Sequence, residues 1–171
     1  MARPMLDRTD GRRDEPRAVE ASPRDRVLAE SALDTAWRIC FLANAFVFPL
    51  YGRLETEFDV ARPEFVTMFC LAHAEPLVAQ DIVDMTRLPK NSISRGVNRL
   101  IARGIVAREA DPGDGRRSIL RLTAAGRELY ERLMPIPMDR QLRLLRCLTD
   151  EEKAELDRLL MKLAAGAAEA I

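Results

Sequence analysis

Asn91, Arg95, Asn98 and Arg99 recur at helical spacing in the stretch Asn91-Ser92-Ile93-Ser94-Arg95-Gly96-Val97-Asn98-Arg99-Leu100-Ile101. Their shared chemistry is forked hydrogen bonding in a plane: a guanidinium bridges guanine O6 and N7, and a carboxamide bridges adenine N6 and N7. On a helical wheel Ile93, Val97, Leu100 and Ile101 fall on the opposite side, so one face belongs to a core and the other points out. Ser92 and Ser94, near the start, offer hydroxyls for a phosphate or for capping, where the helix dipole favours an anion. A second cationic group follows in Asp111-Pro112-Gly113-Asp114-Gly115-Arg116-Arg117. The Arg116 and Arg117 side chains suit a narrow minor groove with its concentrated negative potential. Asp114 would itself repel phosphates; it either orients an arginine through a charge-assisted bond or simply forms the turn. A solvated surface accounts for any one of these residues, but the combination points to double-stranded DNA.

The elements that must hold these groups are short. Val78 to Met85 and Asn91 to Arg103 read as two brief helices around Thr86-Arg87-Leu88-Pro89-Lys90, a helix-turn-helix arrangement. Gly104 ends the second helix as a C-cap. The β-prone runs Ile105 to Ala110 and Ser118 to Thr123 flank the Pro-Gly-Asp turn and form a hairpin with an extended tip. Upstream, apolar residues at helical spacing from Asp25 to Phe58 predict one long helix, kinked at Pro49. A second helix begins near Pro63, suited to the first helical position, and ends at Glu75-Pro76. Downstream, helix runs from Ala124 to about Cys147, bent or broken by Pro135 and Pro137, and again from Glu151 to about Ala168. Thr149-Asp150-Glu151-Glu152 is a capping box for that last helix.

The 171 residues suit one domain plus an oligomerisation element, and abundant Ala, Leu and Arg with few aromatics favour helix. The expected fold is mostly α (α+β). The expected parts are a loosely ordered arm over 1–24, a dimerisation helix over 25–61, a winged helix-turn-helix lobe over 62–123 and C-terminal dimerisation helices over 124–171. The formal net charge is zero, yet ten basic residues face five acidic ones between Ala79 and Arg127, leaving that segment at +5 and the rest at −5. Local concentration is what phosphate neutralisation needs. A single His, with no glycine-rich phosphate loop, nucleophile motif or metal-ligand spacing, argues against an enzyme, a metal or a cofactor. Cys40, Cys70 and Cys147 are an odd number at wide spacing, which suits a reducing cytoplasm. The apolar run Ala36 to Tyr51 is too short and too interrupted for a membrane span. It and the stripe Leu142, Leu145, Leu148, Leu156, Leu159, Leu160 and Leu163 exceed what one thin lobe covers, so a homodimer is expected.

Five pieces, in matching order and spacing, resemble the MarR family of bacterial regulators: Ala79-Gln80-Asp81-Ile82-Val83, Ser92 to Leu100, Arg103-Gly104-Ile105-Val106-Ala107-Arg108, Asp111 to Arg117, and Leu122-Thr123-Ala124-Ala125-Gly126-Arg127. The resemblance implies a dimer interlocked through the first and last helices, a pseudo-palindromic operator and, typically, repression. It also implies an effector crevice between the dimer helices and the winged lobe. Here Trp37, Arg38, Cys40, Phe41 and Asn44 from the first helix, with Phe69, Cys70 and His73 from the second, would line it. Aromatic walls with an Arg and a His suit a small aromatic acid or its thioester. Packing alone also accounts for Trp37, Phe41 and Phe69, and a helix-end contact for His73. Two alternatives stay open. Cys40 looks like the first-helix cysteine of the family's peroxide-responsive branch, although burial among Ile39, Phe41 and Leu42 would raise its pKa. A winged helix can also serve as a protein-interaction adaptor. Arg62 departs from the family pattern, in which a Thr or Ser caps the second helix.

Overall fold

The computed structural model describes residues 22–30, 32–111, 113 and 118–169. Most of the expected arm, and Asp114, Arg116 and Arg117, lie outside the described residues. The chain divides into two compact units, 1–41 and 42–171. In the first, the single long helix expected from Asp25 is two: α1 (Pro23–Glu30) and the start of α2 (Asp34–Phe58). Local polar groups explain the break. The Ser22 hydroxyl accepts the Asp25 N–H, the Asp34 carboxylate accepts the Thr35 N–H at 2.7 Å, and Arg38 donates to the Leu28 carbonyl at the end of α1. Start signals at both places and a satisfied orphan carbonyl make two helices better than one.

In the second unit, Pro49 stays inside α2. Proline has no N–H to give the carbonyl four residues back, which is that of Ala45. Arg140 supplies the missing donor: its guanidinium bonds the Ala45 carbonyl and, at 2.7 Å, that of Phe46. Arg140 belongs to α7 (Pro135–Leu145), which follows α6 (Ala124–Leu133) with Met134 at the break and Pro135 at the first helical position. The proline defect thereby becomes the joint between α2 and α7.

α3 (Arg62–Ala74) and α4 (Ala79–Thr86) begin alike, on apolar cap residues with an acid three positions on. Glu64 accepts the Ala61 N–H and Asp81 the Val78 N–H, each at 2.8 Å. Each start is half of a capping box, and Ala61, not Arg62, holds the cap position. α5 (Lys90–Ala102) follows a tight turn in which Arg87 adopts a left-handed φ of 56°. Gly104, at φ 70°, then turns the chain into β1 (Val106–Ala110), which pairs antiparallel with β2 (Ser118–Leu122), Val106 opposite Leu122. Leu77 adds a single bridge to Leu120, a third strand in miniature.

The corner between wing and α6 explains the Leu-Thr-Ala-Ala-Gly piece. Thr123 caps α6, accepting the Gly126 N–H at 3.0 Å while donating to the Gly104 carbonyl at 2.8 Å. A Cβ on Gly126 would stand 2.2 Å from the Ile105 carbonyl oxygen, so only glycine fits. α8 (Asp150–Glu169) closes the chain, its capping box formed as expected: Glu152 accepts the Thr149 N–H and the Thr149 hydroxyl accepts that of Glu152. Leu54, Met68, Leu71, Ile82, Ile93, Leu100 and Leu120 form the centre of the core. Among the described residues, no helix is long and apolar enough to cross a membrane.

Arg140→Met is expected to destabilise the fold by about 1 kcal/mol, the cost of partly buried carbonyls left without a donor. In a Pro49→Ala background the loss shrinks, because residue 49 then supplies the amide hydrogen itself; denaturant midpoints of the four-member mutant cycle measure it.

Candidate nucleic-acid interface

α5 is amphipathic, as the wheel required. Ile93, Gly96, Val97 and Leu100 are buried, while Asn91, Ser94, Arg95, Asn98 and Arg99 are exposed and Ser92 is half-buried. Neither serine caps the helix: Pro89 holds that position with no side-chain bond, so capping falls away as a role for Ser92 and Ser94. Gly96 lies so close to α3 that a Cβ there would come within 2.9 Å of the Pro63 Cβ.

The exposed groups differ in how free they are. Arg95 has no ion-pair partner among the described residues, whereas Arg99 reaches Asp59 at 3.3 Å and Glu64 at 3.5 Å. Asn98 accepts a hydrogen bond from Arg108 on β1 at 3.2 Å, which ties the helix to the wing while Asn98 stays exposed. Reasoning from the sequence missed Arg108 and the Arg99 pairs, because partners 10 to 40 residues apart leave no periodic signal.

The root of the wing is pinned by Glu75. Its carboxylate accepts the Leu122 N–H at 3.0 Å and pairs with Arg127 of α6. Burial by itself raises the pKa of this group, but the Arg127 bond, the Leu122 amide and the charges of Arg127 and Arg121 together outweigh it and hold the carboxyl below its ordinary value. Farther out, Glu109 and Arg121 pair across the strands at 3.5 Å.

Behind this surface lies a cavity of about 320 Å³ between α2, α3 and α7, with Phe46, Tyr51, Phe65, Phe69 and Met138 among its walls. Of the residues expected to line an effector crevice, Phe69 does so. His73 packs against Phe69 with the rings tilted and their centroids 4.6 Å apart, and it bonds the Tyr130 hydroxyl at 3.0 Å. Cys70 is in the core, where burial pushes its thiol pKa up, and Asn44 is exposed. Trp37, Arg38, Cys40 and Phe41 belong to the first unit and are exposed in it; Arg38 is engaged by Asp34 at 3.0 Å. The burial expected for Cys40 is therefore corrected, because this part of α2 offers its apolar side chains to solvent in the single chain. Tyr51 and Gln141 provide polar groups in the cavity wall, and the Arg62 guanidinium lies 5.4 Å from the Tyr51 ring. Burial raises the Tyr51 pKa, which Arg62 partly offsets.

A short helix pair, an outward polar helix face and an antiparallel wing pinned beside it define a winged helix-turn-helix protein. Within this lobe, residues 58–117 match the model of the MarR family. It is 33% identical over 72 residues to the HTH-type transcriptional repressor NicR of Pseudomonas putida, a match covering 42% of this chain and 46% of that one. The transcriptional regulator HosA of Escherichia coli O111:H- is 28% identical over 78 residues, covering 46% of this chain and 58% of that one. The chain thus spans about half the length of the curated relatives it matches. Among solved structures, a MarR/EmrR family transcriptional regulator from Acinetobacter sp. ADP1 superposes with a TM-score of 0.72 at 26% identity, over 81% of this chain and 99% of that one. The same fold, at 18% identity and a TM-score of 0.73, occurs in a putative MarR family regulator from Listeria monocytogenes complexed with 26mer DNA, matched over 79% of this chain and 89% of that one. It occurs again, at 21% identity and 0.67, in Bordetella bronchiseptica BpsR, whose DNA binding is regulated by 6-hydroxynicotinic acid, with 79% of this chain and 94% of that one matched.

The Glu75 pin predicts an acid limb of stability. Because the folded-state pKa lies below the unfolded one, its stabilisation is full above the ordinary glutamate range, near pH ~4.3, and is lost as pH falls through the folded value. Melting temperatures followed from neutral pH downward should therefore fall less steeply in Glu75→Gln than in the wild type, and the variant should start lower at neutral pH.

Proposed function

We propose that this chain is a transcription regulator, a repressor, that reads a pseudo-palindromic DNA operator as a homodimer and is released by a small aromatic or anionic effector. The observation that carries the reading is the outward face of α5: Asn91, Ser94, Arg95 and Asn98 exposed over a fully buried underside, with the wing tied to them through Arg108. Arg116 and Arg117 act from the wing as minor-groove cations, and Asp114 orients them. The Listeria protein of the same fold, solved in complex with 26mer DNA, supports duplex DNA as the partner. A two-fold pair would set its reading helices about 34 Å apart, one turn of B-DNA.

Large apolar side chains left in water favour the homodimer. Leu142 is 71% exposed, Phe48 68% and Leu33 69%, and Leu159, Leu160 and Leu163 of α8 are exposed as well. A monomer would gain nothing from such surface. The division into 25–61 and 124–171 as dimerising segments around a 62–123 reading lobe rests on this pattern. For the effector, the cavity under α3 is large enough for a substituted aromatic ring, and we place the pocket there, with Phe69 and Tyr51 in its wall and His73 packed against Phe69 outside the lining. A ring acid such as 6-hydroxynicotinic acid, which regulates BpsR, has suitable size and shape. Exposure of Cys40 alone does not make a peroxide sensor, and an adaptor has no use for an Arg and Asn stripe aimed at solvent.

Gel shifts with the DNA upstream of the coding sequence, titrated with salt and then with aromatic acids, their thioesters and peroxides, test the whole reading. Affinity should fall steeply with salt, by a slope of about 0.9 per neutralised phosphate. Arg116→Ala should weaken binding to every duplex, whereas Arg95→Ala or Asn98→Ala should in addition change the preferred sequence, at about 1–3 kcal/mol per lost base contact. Equal losses on specific and random DNA for all three would refute that division. Val66→Phe, which fills the cavity, should leave DNA affinity nearly unchanged and abolish release by whichever acid acts on the wild type; persistent release would place the effector elsewhere.

A further inference from the structure

We propose that Glu64 is the positioning residue of the reading helix: its buried carboxylate, shared by Arg99 and Arg103, locks α5 to the corner where α2 ends and α3 begins, so Arg99 anchors the helix instead of neutralising a phosphate. The proposal rests on the DNA-binding reading above and assigns roles within that surface.

Glu64 is only 1% exposed, the one charged residue buried among those described. A desolvated carboxylate is costly unless it is paired and hydrogen-bonded. Here one oxygen accepts the Ala61 N–H and stands 3.5 Å from Arg99, and the other stands 3.4 Å from Arg103. Arg99 also reaches the Asp59 carboxylate at 3.3 Å, and Arg103 donates to the Asp59 carbonyl at 2.7 Å. Two carboxylates and two guanidinium groups make a cluster with no net charge. Drawing Arg99 away to a DNA phosphate would leave the buried Glu64 with a single cation, whereas Arg95, one turn earlier, has no such obligation.

Spacing turns this cluster into a clamp. Gly96, Arg99 and Arg103 sit at i, i+3 and i+7, on one face of the helix directed at α3. The Gly96 contact with Pro63 is a pivot about which α5 could still turn. The Glu64 pairs, one and two turns farther along, give second and third fixed points and so set the angle at which Asn91, Arg95 and Asn98 meet the base edges. Base readout tolerates far less misplacement than phosphate contact does, because forked hydrogen bonds need aligned planes.

The test begins by selecting, from random duplexes, the sequence that the wild-type protein prefers, with a shuffled duplex of the same composition as control. Affinities for both are then measured across a salt series for the wild type, Glu64→Gln, Arg99→Met and Arg95→Met. Glu64→Gln keeps an acceptor for the Ala61 N–H, and Arg99→Met loosens the clamp from its exposed side, so at least one folded variant is available. Both clamp variants should lose about tenfold or more in the ratio of preferred to shuffled affinity, while the slope of log affinity against log salt stays at the wild-type value. Arg95→Met, which removes a base-reading group and leaves the clamp intact, should lower the ratio while keeping the wild-type melting temperature. An Arg99→Met slope reduced by about 0.9, the loss of one neutralised phosphate, or clamp variants with an unchanged ratio, would overturn the proposal even if the wild type is fully sequence-selective. A wild type that selects no sequence and ignores all duplexes in dilute buffer would instead bring down the DNA-binding reading, and the proposal with it. A loss of melting temperature without a change in ratio would mark Glu64 as merely structural and would likewise overturn it.

Discussion

The close approach of α3 and α5 governs the rest of the molecule. A helix can hold a polar face outward only if its other face is gripped, and here the grip has no spare room: Gly96 meets Pro63 where a methyl group would not fit. Ile93, Val97 and Leu100 bury on the same side into a core shared with Met68, Leu71 and Ile82. Protein interiors at crystal-like density do not deform smoothly, so the outer stripe inherits the rigidity of the inner one.

Polar groups at element ends complete that rigidity. Glu64 and Asp81 each satisfy an amide at a helix start whose cap residue is apolar, and Thr123 serves the wing and α6 at once. Glu75 bonds a strand amide and an α6 arginine, joining three elements through one carboxylate. The same economy operates at Pro49, where a missing donor in α2 becomes the docking point for Arg140 of α7. Among the described residues no buried side-chain nitrogen or oxygen lacks a partner, so these acids and arginines are structural before they are anything else.

The cavity and the reading helix are near neighbours in the chain. Phe65 lines the cavity and Glu64 beside it holds α5, so both environments share one turn of α3. Rings from Tyr51, Phe65 and Phe69 contact one another in series, and His73 with Tyr130 extends that series toward α6. Contiguous packing of this kind is the material through which two sites can bias one another.

Much was legible in the residues themselves. Helical periodicity located α5 and its two faces to within a residue, Pro-Gly-Asp chemistry marked the wing, and Thr149 with Glu152 marked the start of α8, because each signal is local and its physics acts within one or two turns. The break between α1 and α2 was missed, since apolar spacing runs on across it while the deciding bonds of Asp34 and Arg38 are polar. Only the tertiary structure decided which exposed arginine is spoken for and which is free, which aromatic rings enclose space and which stand in water, and what completes the helix at Pro49. Those outcomes depend on partners brought together from distant parts of the chain, and burial, pairing and cavity shape are properties of that meeting, not of any residue alone.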